Sequence, residues 1–385
     1  MNAYTLGEEQ RQIQEAVRRF AREKVAARAD EIDRTAEYPE DMFELLRGLG
    51  WFALPFPEQY GGTGSTLNAC IALEELVRVC YNTGYLLAVQ WTPFAAILAG
   101  GTGAQKEQYL PALASGRLRG AISVTEPQSG SDVAGIRTRA KRVAGGYRIS
   151  GSKTWCTGAP VADFILLAAK TGEDEARGSI NLFIIQRGAK GLQIGRKEEK
   201  MGARGIPSCP LFLDDVCVAD EDRLGEESKG FKVVMEAFNL ARPVHAARGV
   251  GLAQGAIDHA VAYVQSRVAF GQKISDFQGV RWMLADMAMQ TEAARQLCYR
   301  AAGMVDAGVT GNELAPYAAM AKCFATDTAM KVATDAVQLF GAAGISAEYP
   351  INRYMRDAKV LQIVEGTNQI QRNIIGNSIL GRRSG

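Results

Sequence analysis

A single carboxylate near the end of the chain, Glu365, stands in a setting that suits proton abstraction. It follows the β-branched residues Ile363 and Val364 and precedes Gly366, whose missing side chain lets another group approach the backbone closely. A general base beside a substrate carbonyl would need this kind of placement. The apolar neighbours would raise the pKa of Glu365 and a helix N-terminus near Thr367 would lower it, so the net direction stays open. The alternative role is a solvated glutamate that ends a helix at a tight turn.

The segment over residues 121–132 starts as a strand and breaks into a loop rich in hydroxyl groups. Apolar Ile122 and Val124 alternate with polar residues, which is the pattern of a strand with one buried face. Backbone N–H groups freed by the loop, together with the hydroxyls of Thr125 and Ser131, suit a phosphate or a flat heteroaromatic ligand. An ordinary junction between a strand and a turn would show the same pattern.

A second strand-like segment, GSKTWCTG over residues 151–158, carries an aromatic ring and a hydroxyl two positions apart. Because side chains alternate across a strand, Trp155 and Thr157 are predicted to point to the same side, where they could contact a planar ligand. The alternative is that Trp155 packs in the core.

Two segments in the C-terminal half are predicted to be helix ends. In SRVAFGQK, residues 266–273, Gly271 is predicted to terminate the helix. The planar guanidinium of Arg267 could clamp a pyrophosphate, or it could only complement the helix dipole. The other segment, QLFGAAG over residues 338–344, carries small residues that permit close backbone approach.

Composition excludes several classes of function. The chain has 385 residues, of which 47% are hydrophobic, and its formal net charge is only +2, with no basic block that would track a nucleic acid. The two histidines, His245 and His259, have no metal-ligand spacing, so no metal site is predicted. Seven scattered cysteines without a CxxC pair fit a reduced cytoplasm, and each is expected to be a buried, small apolar side chain. No apolar run reaches the ~20 residues of a membrane span, and neither a Rossmann fingerprint nor a P-loop occurs.

The elements that must position these residues follow the order helical, β, helical. Helical periodicity predicts helices over residues 5–33, opened by a capping box of Thr5 and Glu8, and over 39–50, 66–80, 84–100 and 104–113. From Gly120, short β-rich runs separated by turns predict a small antiparallel sandwich or barrel, with strands over 121–125, 137–143, 147–150, 164–169, 181–186, 193–196 and 211–218.

Long helical segments then continue to the end of the chain. They cover residues 229–267, 276–307, 311–341, 350–360 and 367–380 and predict a helical bundle. The expected domains are an N-terminal helical domain (1–119), a middle β domain (120–225) and a C-terminal helical bundle (226–385). The predicted fold class is α+β, mainly α.

Six segments, taken in order, resemble the acyl-CoA dehydrogenase family across nearly the whole chain. They are ISVTEPQSGSD, GSKTWCTG, ARPVHAARGVGLAQ, SRVAFGQ, QLFGAAG and MRDAKVLQIVEGTNQIQRN. The helical, β, helical order is also the architecture of that family. Six motifs in order are far more specific than any one of them.

The resemblance implies an enzyme with a tightly held FAD, assembled as a homotetramer or dimer, with an electron-transfer flavoprotein as oxidant. The implied reaction is α,β-dehydrogenation of an acyl-CoA to the trans-2-enoyl thioester, in which Glu365 removes the α-proton and FAD accepts the β-hydride. Relatives with the same fold act on carrier-protein-bound acyl groups or are flavin-dependent monooxygenases. A helical scaffold that has lost its flavin is the non-enzymatic alternative.

The resemblance also assigns roles to individual residues. Glu365 matches the catalytic base; some relatives carry the base at the position of Ala241, where alanine cannot serve. Residues matching the surroundings of the flavin ring and its diphosphate are Val124, Thr125, Gly130, Ser131, Trp155 and Thr157. Residues matching contacts to the FAD of a neighbouring subunit are Arg267, Phe270, Gln278, Gln338 and Gly341, and Thr367 and Gln369 match contacts after the base. The implied substrate contacts are Ser131, Arg242 on the CoA side, His245, Val364 and Gly366.

Three departures from the family pattern stand out. Val364 replaces the aromatic residue that often precedes the base, which leaves more room over the acyl chain. Ala342 replaces the second glycine of the usual FGG, at a position where the family pattern implies a nucleotide contact. His245 and Arg248 lie on the helix of Arg242, where His245 could contact a polar or branched acyl group. The alternative is that His245 is a satisfied core histidine and Arg248 a solvated arginine.

Overall fold

The computed structural model describes residues 5–172 and 179–382, and its N-terminal part is helical. The helices are α1 (Glu8–Phe20), α2 (Ala26–Thr35), α3 (Glu40–Gly48), α4 (Thr66–Val77), α5 (Tyr81–Gly100) and α6 (Gly103–Ala114). A π-helical turn over Ala21–Val25 joins α1 to α2, so the first predicted helix continues to Thr35.

The capping box predicted at Thr5 and Glu8 is wrong. Helix α1 begins after Gly7, which makes no side-chain capping hydrogen bond, and Glu8 lies in the first helical turn. The carboxylates of Glu8 and Glu9 complement the helix dipole there, which is a different way to stabilise a helix N-terminus. A full capping box does occur at α6, between Thr102 and Gln105.

The middle of the chain forms one mixed sheet. Its strands are β1 (Gly120–Ser123), β2 (Arg139–Val143), β3 (Gly146–Thr157), β4 (Phe164–Lys170), β5 (Ile180–Gln186), β6 (Leu192–Ile194) and β7 (Ser208–Ala219). The order is β1-β4-β2-β3-β7-β6, and β5 pairs with β4. The segments predicted separately over 147–150 and 151–158 form the single strand β3.

The prediction of a purely antiparallel sheet is wrong for two pairs. Strand β4 pairs in parallel with β1 and, at one position, with β2, whereas the other pairs are antiparallel. Parallel neighbours need long crossover connections, and here the intervening strands supply them. Strand spacing along the sequence predicts the strands but not which of them become neighbours.

The C-terminal part is a bundle around one long helix. Its elements are α7 (Gly230–Ser266), the hairpin strands β8 (Val268–Ala269) and β9 (Gln272–Lys273), and the helices α8 (Gln278–Asp306), α9 (Gly311–Phe340), α10 (Ala342–Ile345), α11 (Ile351–Leu361) and α12 (Asn368–Ile379). The order helical, β, helical and the mainly helical α+β class are thereby confirmed.

Glycines on α7 bring its backbone close to the neighbouring helices. A Cβ atom at Gly249 would stand 2.8 Å from the carbonyl oxygen of Ala325 on α9, and one at Gly251 would stand 2.5 Å from that of Glu74 on α4. Only glycine permits these approaches. Helix α7 is therefore held tightly between α4 and α9, and this packing fixes the position of the polar side chains on the same stretch.

The cysteines are free thiols, and six of the seven are buried; Cys217, on β7, is exposed. The expectation of buried, small apolar side chains therefore fails at Cys217. Within residues 5–172 and 179–382, no helix is long and apolar enough to cross a membrane, and no group of three or more His, Cys, Asp or Glu could hold a metal ion.

Candidate active site

Glu365 lies on the short loop between α11 and α12, in a backbone conformation that L-amino acids rarely adopt. Its φ is +57° and that of Gly366 is +83°. A left-handed non-glycine residue costs of order 1–3 kcal/mol, so the surrounding structure must hold it in place. The loop ends where the Thr367 hydroxyl accepts a hydrogen bond from the Ile370 N–H and caps α12.

Buried side chains from α9 and α12 hold this loop. The Lys322 ammonium donates to the Gly366 carbonyl and to the Asn368 side-chain oxygen, both at 2.9 Å. The Gln371 side chain also donates to the Gly366 carbonyl, at 3.0 Å, and the Asn368 amide donates to Asp327 at 2.6 Å. The backbone immediately after Glu365 is therefore tied to the core of the bundle.

Replacing Lys322 with methionine is expected to destabilise the protein by about 1–3 kcal/mol, because the Gly366 carbonyl and the Asn368 side chain each lose a hydrogen bond from a buried donor. The loop that carries Glu365 would also loosen, so we expect slower flavin reduction. Urea denaturation measures the first effect and stopped-flow absorbance the second. The matched control is Lys331→Met on the same helix, where an exposed lysine pairs with the Asp335 carboxylate. Equal stability of the two variants would contradict the role given to Lys322.

The electrostatic surroundings of Glu365 settle the direction of its pKa. The side chain is only 18% exposed. Burial raises the pKa of Glu365, and this effect outweighs the nearby charges of Arg248, Lys322 and Arg242, which lower it. A raised pKa makes the ionised carboxylate a stronger proton acceptor, which suits a general base.

The cations around Glu365 are themselves buried. Arg242 is 3% exposed, and its guanidinium donates to the Asn239 side chain. Burial lowers the pKa of Arg242 to about 10 and that of Lys322 to about 7, although the Glu365 carboxylate opposes both shifts. Arg242 was predicted to lie on the CoA side, and its charge acts on the Glu365 carboxylate.

His245 and Arg248 also face this site, and neither is a solvated surface residue. The Nε2 atom of His245 lies 3.6 Å from a carboxylate oxygen of Glu365. Its Nδ1 atom lies 2.7 Å from Arg248 Nη1. The Arg248 guanidinium stacks on the ring of Tyr85, 3.8 Å from the ring centre, and donates to the Tyr81 hydroxyl. The alternatives of a satisfied core histidine and a solvated arginine are therefore wrong, since His245 Nε2 finds no partner among the described residues.

Trp155 occupies the second part of the candidate site. It is 53% exposed and its φ is +60°, at the point where the register between β3 and β7 shifts. The alternative of core packing is therefore wrong. The hydroxyl of Thr157 lies 3.1 Å from that of Ser208. The Thr154 N–H donates to the Thr125 carbonyl at 3.0 Å, which brings the 121–132 and 151–158 segments together.

A buried ion pair supports these two segments. Lys153 and Glu126 are 1% and 3% exposed, and the Lys153 ammonium lies 2.8 Å from the Glu126 carboxylate and 2.9 Å from the Val124 carbonyl. Glu126 also accepts the backbone N–H groups of Arg137 at 2.6 Å and Thr138 at 2.9 Å. Burial alone would raise the pKa of Glu126, but Lys153 and these hydrogen bonds lower it to about 2. The pair connects the strand end, the loop and β3.

The segment over 266–273 is a hairpin and not a helix end closed by Gly271. Helix α7 stops at Ser266, and β8 and β9 are joined by the two-residue turn Phe270–Gly271, whose φ angles are +53° and +79°. Two positive φ angles are required by the turn type that best fits a two-residue hairpin. This turn leaves Phe270 96% exposed.

The other predicted cofactor and substrate contacts divide into exposed residues and residues that are partly or fully buried. Gly341, with a φ of +60°, ends α9 as predicted. Exposed residues are Gly130, Ser131, Arg267, Gln278, Gln338, Gly341 and Gln369, and partly or fully buried ones are Val124, Thr125, Val364, Gly366 and Thr367.

Sequence reasoning missed Tyr81, Tyr85, Glu126, Lys153 and Lys322. For Lys322 a signal exists, because a lysine stands on the alanine-rich face of α9 that includes Ala318, Ala325 and Ala329. A lysine within a small-residue helical stripe must find buried acceptors. For the other four, the partners come from distant parts of the chain.

All three parts of the chain, the N-terminal helices, the sheet and the C-terminal bundle, match known proteins. Three family models match, described as acyl-CoA dehydrogenase N-terminal domain (residues 7–117), middle domain (121–216) and C-terminal domain (228–380). Cyclohexane-1-carbonyl-CoA dehydrogenase of Geobacter metallireducens is 39% identical over 379 residues, which are 98% of this chain and 99% of the relative.

Two solved structures share the fold closely. Butyryl-CoA dehydrogenase from Megasphaera elsdenii has a TM-score of 0.94 at 37% identity, covering 98% of this chain and 99% of that chain. A chain in a structure of the electron transferring flavoprotein of Acidaminococcus fermentans also has a TM-score of 0.94, at 38% identity, with the same coverage of 98% and 99%.

Proposed function

The chain belongs to the acyl-CoA dehydrogenase family, and we propose that Glu365 is the base with which it removes the α-proton of an acyl-CoA. The family reaction is the α,β-dehydrogenation of an acyl-CoA, and its cofactor is FAD. The observation that carries the assignment to Glu365 is a carboxylate with a raised pKa, held on a strained loop among buried cations.

The residues of the β domain fit the FAD of the family. Trp155 is 53% exposed and its backbone is in the left-handed region, and a flat ring system would cover its ring. We propose that Trp155, Thr157, Val124 and Thr125 hold the flavin ring and that Gly130 and Ser131 lie at its diphosphate. Bound FAD supplies the acceptor for the β-hydride.

The exposed residues of the C-terminal bundle are proposed to contact the cofactor of a neighbouring subunit. Arg267 and Phe270 on the hairpin side, with Gln278, Gln338 and Gly341, would reach the FAD of a neighbouring subunit in a homotetramer or a dimer. Their common exposure supports an intersubunit role. After the base, Thr367 and Gln369 complete the proposed cofactor contacts.

The proposed proton transfer uses only the chain's own groups. The Glu365 carboxylate takes the α-proton, and the Glu365 backbone N–H donates to the thioester carbonyl, on which negative charge develops. Burial keeps the carboxylate basic, and Lys322 keeps its backbone in place. Ala241, at the alternative base position, is buried and offers only a methyl group.

On the substrate side, we propose that Ser131, Arg242, His245, Val364 and Gly366 contact the acyl thioester. Val364 is partly buried and packs against the main core, so it can border the acyl chain. An acyl-CoA is the expected substrate, and a carrier-protein-bound acyl group or a monooxygenase reaction are the competing possibilities. The aligned base favours dehydrogenation.

The oxidant and the organisation of the chain complete the proposal. An electron-transfer flavoprotein is the proposed electron acceptor, supported by the similarity to a chain in the Acidaminococcus fermentans structure. The three-domain division at 119/120 and 225/226 is supported by family matches that end and begin near these positions. A cytoplasmic location stays a prediction.

The purified protein is expected to be yellow, and anaerobic addition of its substrate is expected to bleach the flavin absorbance. A panel of straight-chain, branched, aromatic and dicarboxylic acyl-CoAs should contain at least one that bleaches it, with the trans-2-enoyl-CoA as product. The same acyl groups on a carrier protein serve as the comparison. Hydroxylated product with rapid reoxidation by air, and no anaerobic bleaching, would contradict dehydrogenation.

A further inference from the structure

Three buried side chains form a continuous chain of contacts that leads to the Glu365 carboxylate. The Tyr81 hydroxyl accepts a hydrogen bond from Arg248 Nη2, and Arg248 Nη1 lies 2.7 Å from His245 Nδ1. His245 Nε2 then points at Glu365 Oε1, 3.6 Å away. Tyr81, His245 and Arg248 are at most 2% exposed, so bulk water does not compete for these contacts.

The contact with Arg248 determines which nitrogen of His245 carries the proton. A guanidinium has only N–H groups and cannot accept a hydrogen bond. Nδ1 of His245 must therefore be the acceptor, and in the neutral imidazole the proton must lie on Nε2. Burial lowers the pKa of His245 well below its usual value, and the charges of Arg248, Lys322 and Arg242 lower it further. The ring is neutral, with a fixed N–H directed at the carboxylate.

The Nε2–H donor is unpaired in this structure. Its distance of 3.6 Å to Glu365 is slightly too long for a hydrogen bond, and no other partner for Nε2 occurs among the described residues. A buried donor without a partner is costly, and catalytic hydrogen bonds often close only in the complex with substrate. A shift of about 0.4 Å would bring the two atoms within the usual hydrogen-bond distance of at most about 3.2 Å.

We propose that Tyr81 and Arg248 lock His245 in its Nε2–H form, and that His245 is a positioning residue that donates to the ionised Glu365 carboxylate during proton abstraction. This inference rests on the proposed role of Glu365 as the base. His245 cannot itself compete for the α-proton, because its lone pair on Nδ1 is used by Arg248. The donor orients the carboxylate and stabilises its charged form.

A hydrogen bond from His245 would limit how far burial raises the pKa of Glu365. The charged groups that face Glu365 are Arg242 and Arg248 from α7 and Lys322 from α9, and each lowers its pKa. A hydrogen bond from neutral His245 acts in the same direction, because it favours the ionised carboxylate. Without that donor, the pKa of Glu365 should rise and the base should be protonated at a higher pH.

The test measures proton abstraction alone, as exchange of the α-proton of an acyl-CoA with deuterium oxide. The flavin is kept reduced with dithionite so that no dehydrogenation occurs, and the acyl-CoA that bleaches the oxidised enzyme fastest is the probe. In His245→Leu, the apparent pKa of the exchange rate is expected to rise by about one pH unit, with the rate recovered at high pH. His245→Gln keeps an N–H donor at nearly the same place and should restore most of the shift.

Two further variants keep the result unambiguous. Tyr81→Phe removes one hydroxyl without changing charge, and it should shift the profile in the same direction by less. His259→Leu is the matched control, because His259 lies on the same helix and contacts Tyr354, away from Glu365. An unshifted profile in His245→Leu would overturn the proposal, and so would an unshifted Tyr81→Phe if His245→Leu does not fold. Exchange at the native rate in Glu365→Gln would instead overturn the base assignment.

Discussion

Replacing Glu365 with glutamine is expected to slow reduction of the flavin by substrate by about 10²- to 10⁴-fold, the range that general base catalysis supplies. Glutamine has nearly the same size but accepts no proton at neutral pH. The loop should keep its shape, because its supports are the Lys322 ammonium and the Gln371 side chain, which contact backbone carbonyls and not the carboxylate. The loss should therefore appear in the rate and not in FAD content.

Stopped-flow absorbance under anaerobic conditions measures this rate. Glu348→Gln is the matched control, because it removes an exposed carboxylate near the end of α10. It is expected to reduce its flavin at the native rate. Native bleaching in Glu365→Gln would mean that another group removes the proton, and with alanine at position 241 the structure offers no second carboxylate there.

Replacing Glu126 with glutamine is expected to lower the free energy of unfolding by about 3–5 kcal/mol, because it leaves the Lys153 ammonium buried without a counter-charge. Burial already lowers the pKa of Lys153 to about 8 against the opposing effect of Glu126. Urea denaturation measures the loss of stability, and FAD content measures whether the proposed flavin site around Trp155 and Thr157 still forms. The double variant Glu126→Gln/Lys153→Met should recover part of the stability, since it leaves no buried charge.

The same pair predicts how stability depends on pH. The pKa of Glu126 is about 2 in the folded protein, whereas its ordinary value, which the unfolded chain has, is 4.5. Between these two pH values the unfolded chain therefore binds more protons than the folded protein. The stabilisation is complete above pH 4.5 and is lost as the pH falls towards 2.

Asp215→Asn is the control for Glu126→Gln, because it breaks an exposed pair with Arg148 across β3 and β7. It should cost at most about 1 kcal/mol, and an equal cost for both variants would contradict the account.

The spacing of apolar residues predicted most of the fold, because in the long helices this spacing repeats over many turns. Helices α7, α8 and α9 lie within a few residues of their predicted bounds. Periodicity failed at Gly271, where a glycine after a helical run has two possible functions, a helix cap or one half of a hairpin turn. It also failed for the neighbours of β4, because strand order depends on packing between distant segments.

The candidate site was predictable where a motif is local and missed where its partners are distant. The immediate neighbours of Glu365 and Trp155 indicated possible roles but left a structural alternative open for each, and the family resemblance assigned the roles of Glu365, Trp155 and Thr157. Lys153 meets Glu126 across 27 residues of sequence, and Lys322 reaches the base loop across 44. The direction of the pKa of Glu365 was open for the same reason, since burial and the charges from α7 and α9 belong to the tertiary structure.

The most direct test of the central claim is α-proton exchange in Glu365→Gln compared with the native protein. With the flavin held reduced, the native protein is expected to incorporate solvent deuterium at the α-carbon of its acyl-CoA, as measured by proton NMR. Glu365→Gln is expected to bind the same acyl-CoA and to leave the α-carbon unlabelled. Exchange at the native rate in Glu365→Gln would contradict the assignment of Glu365 as the base.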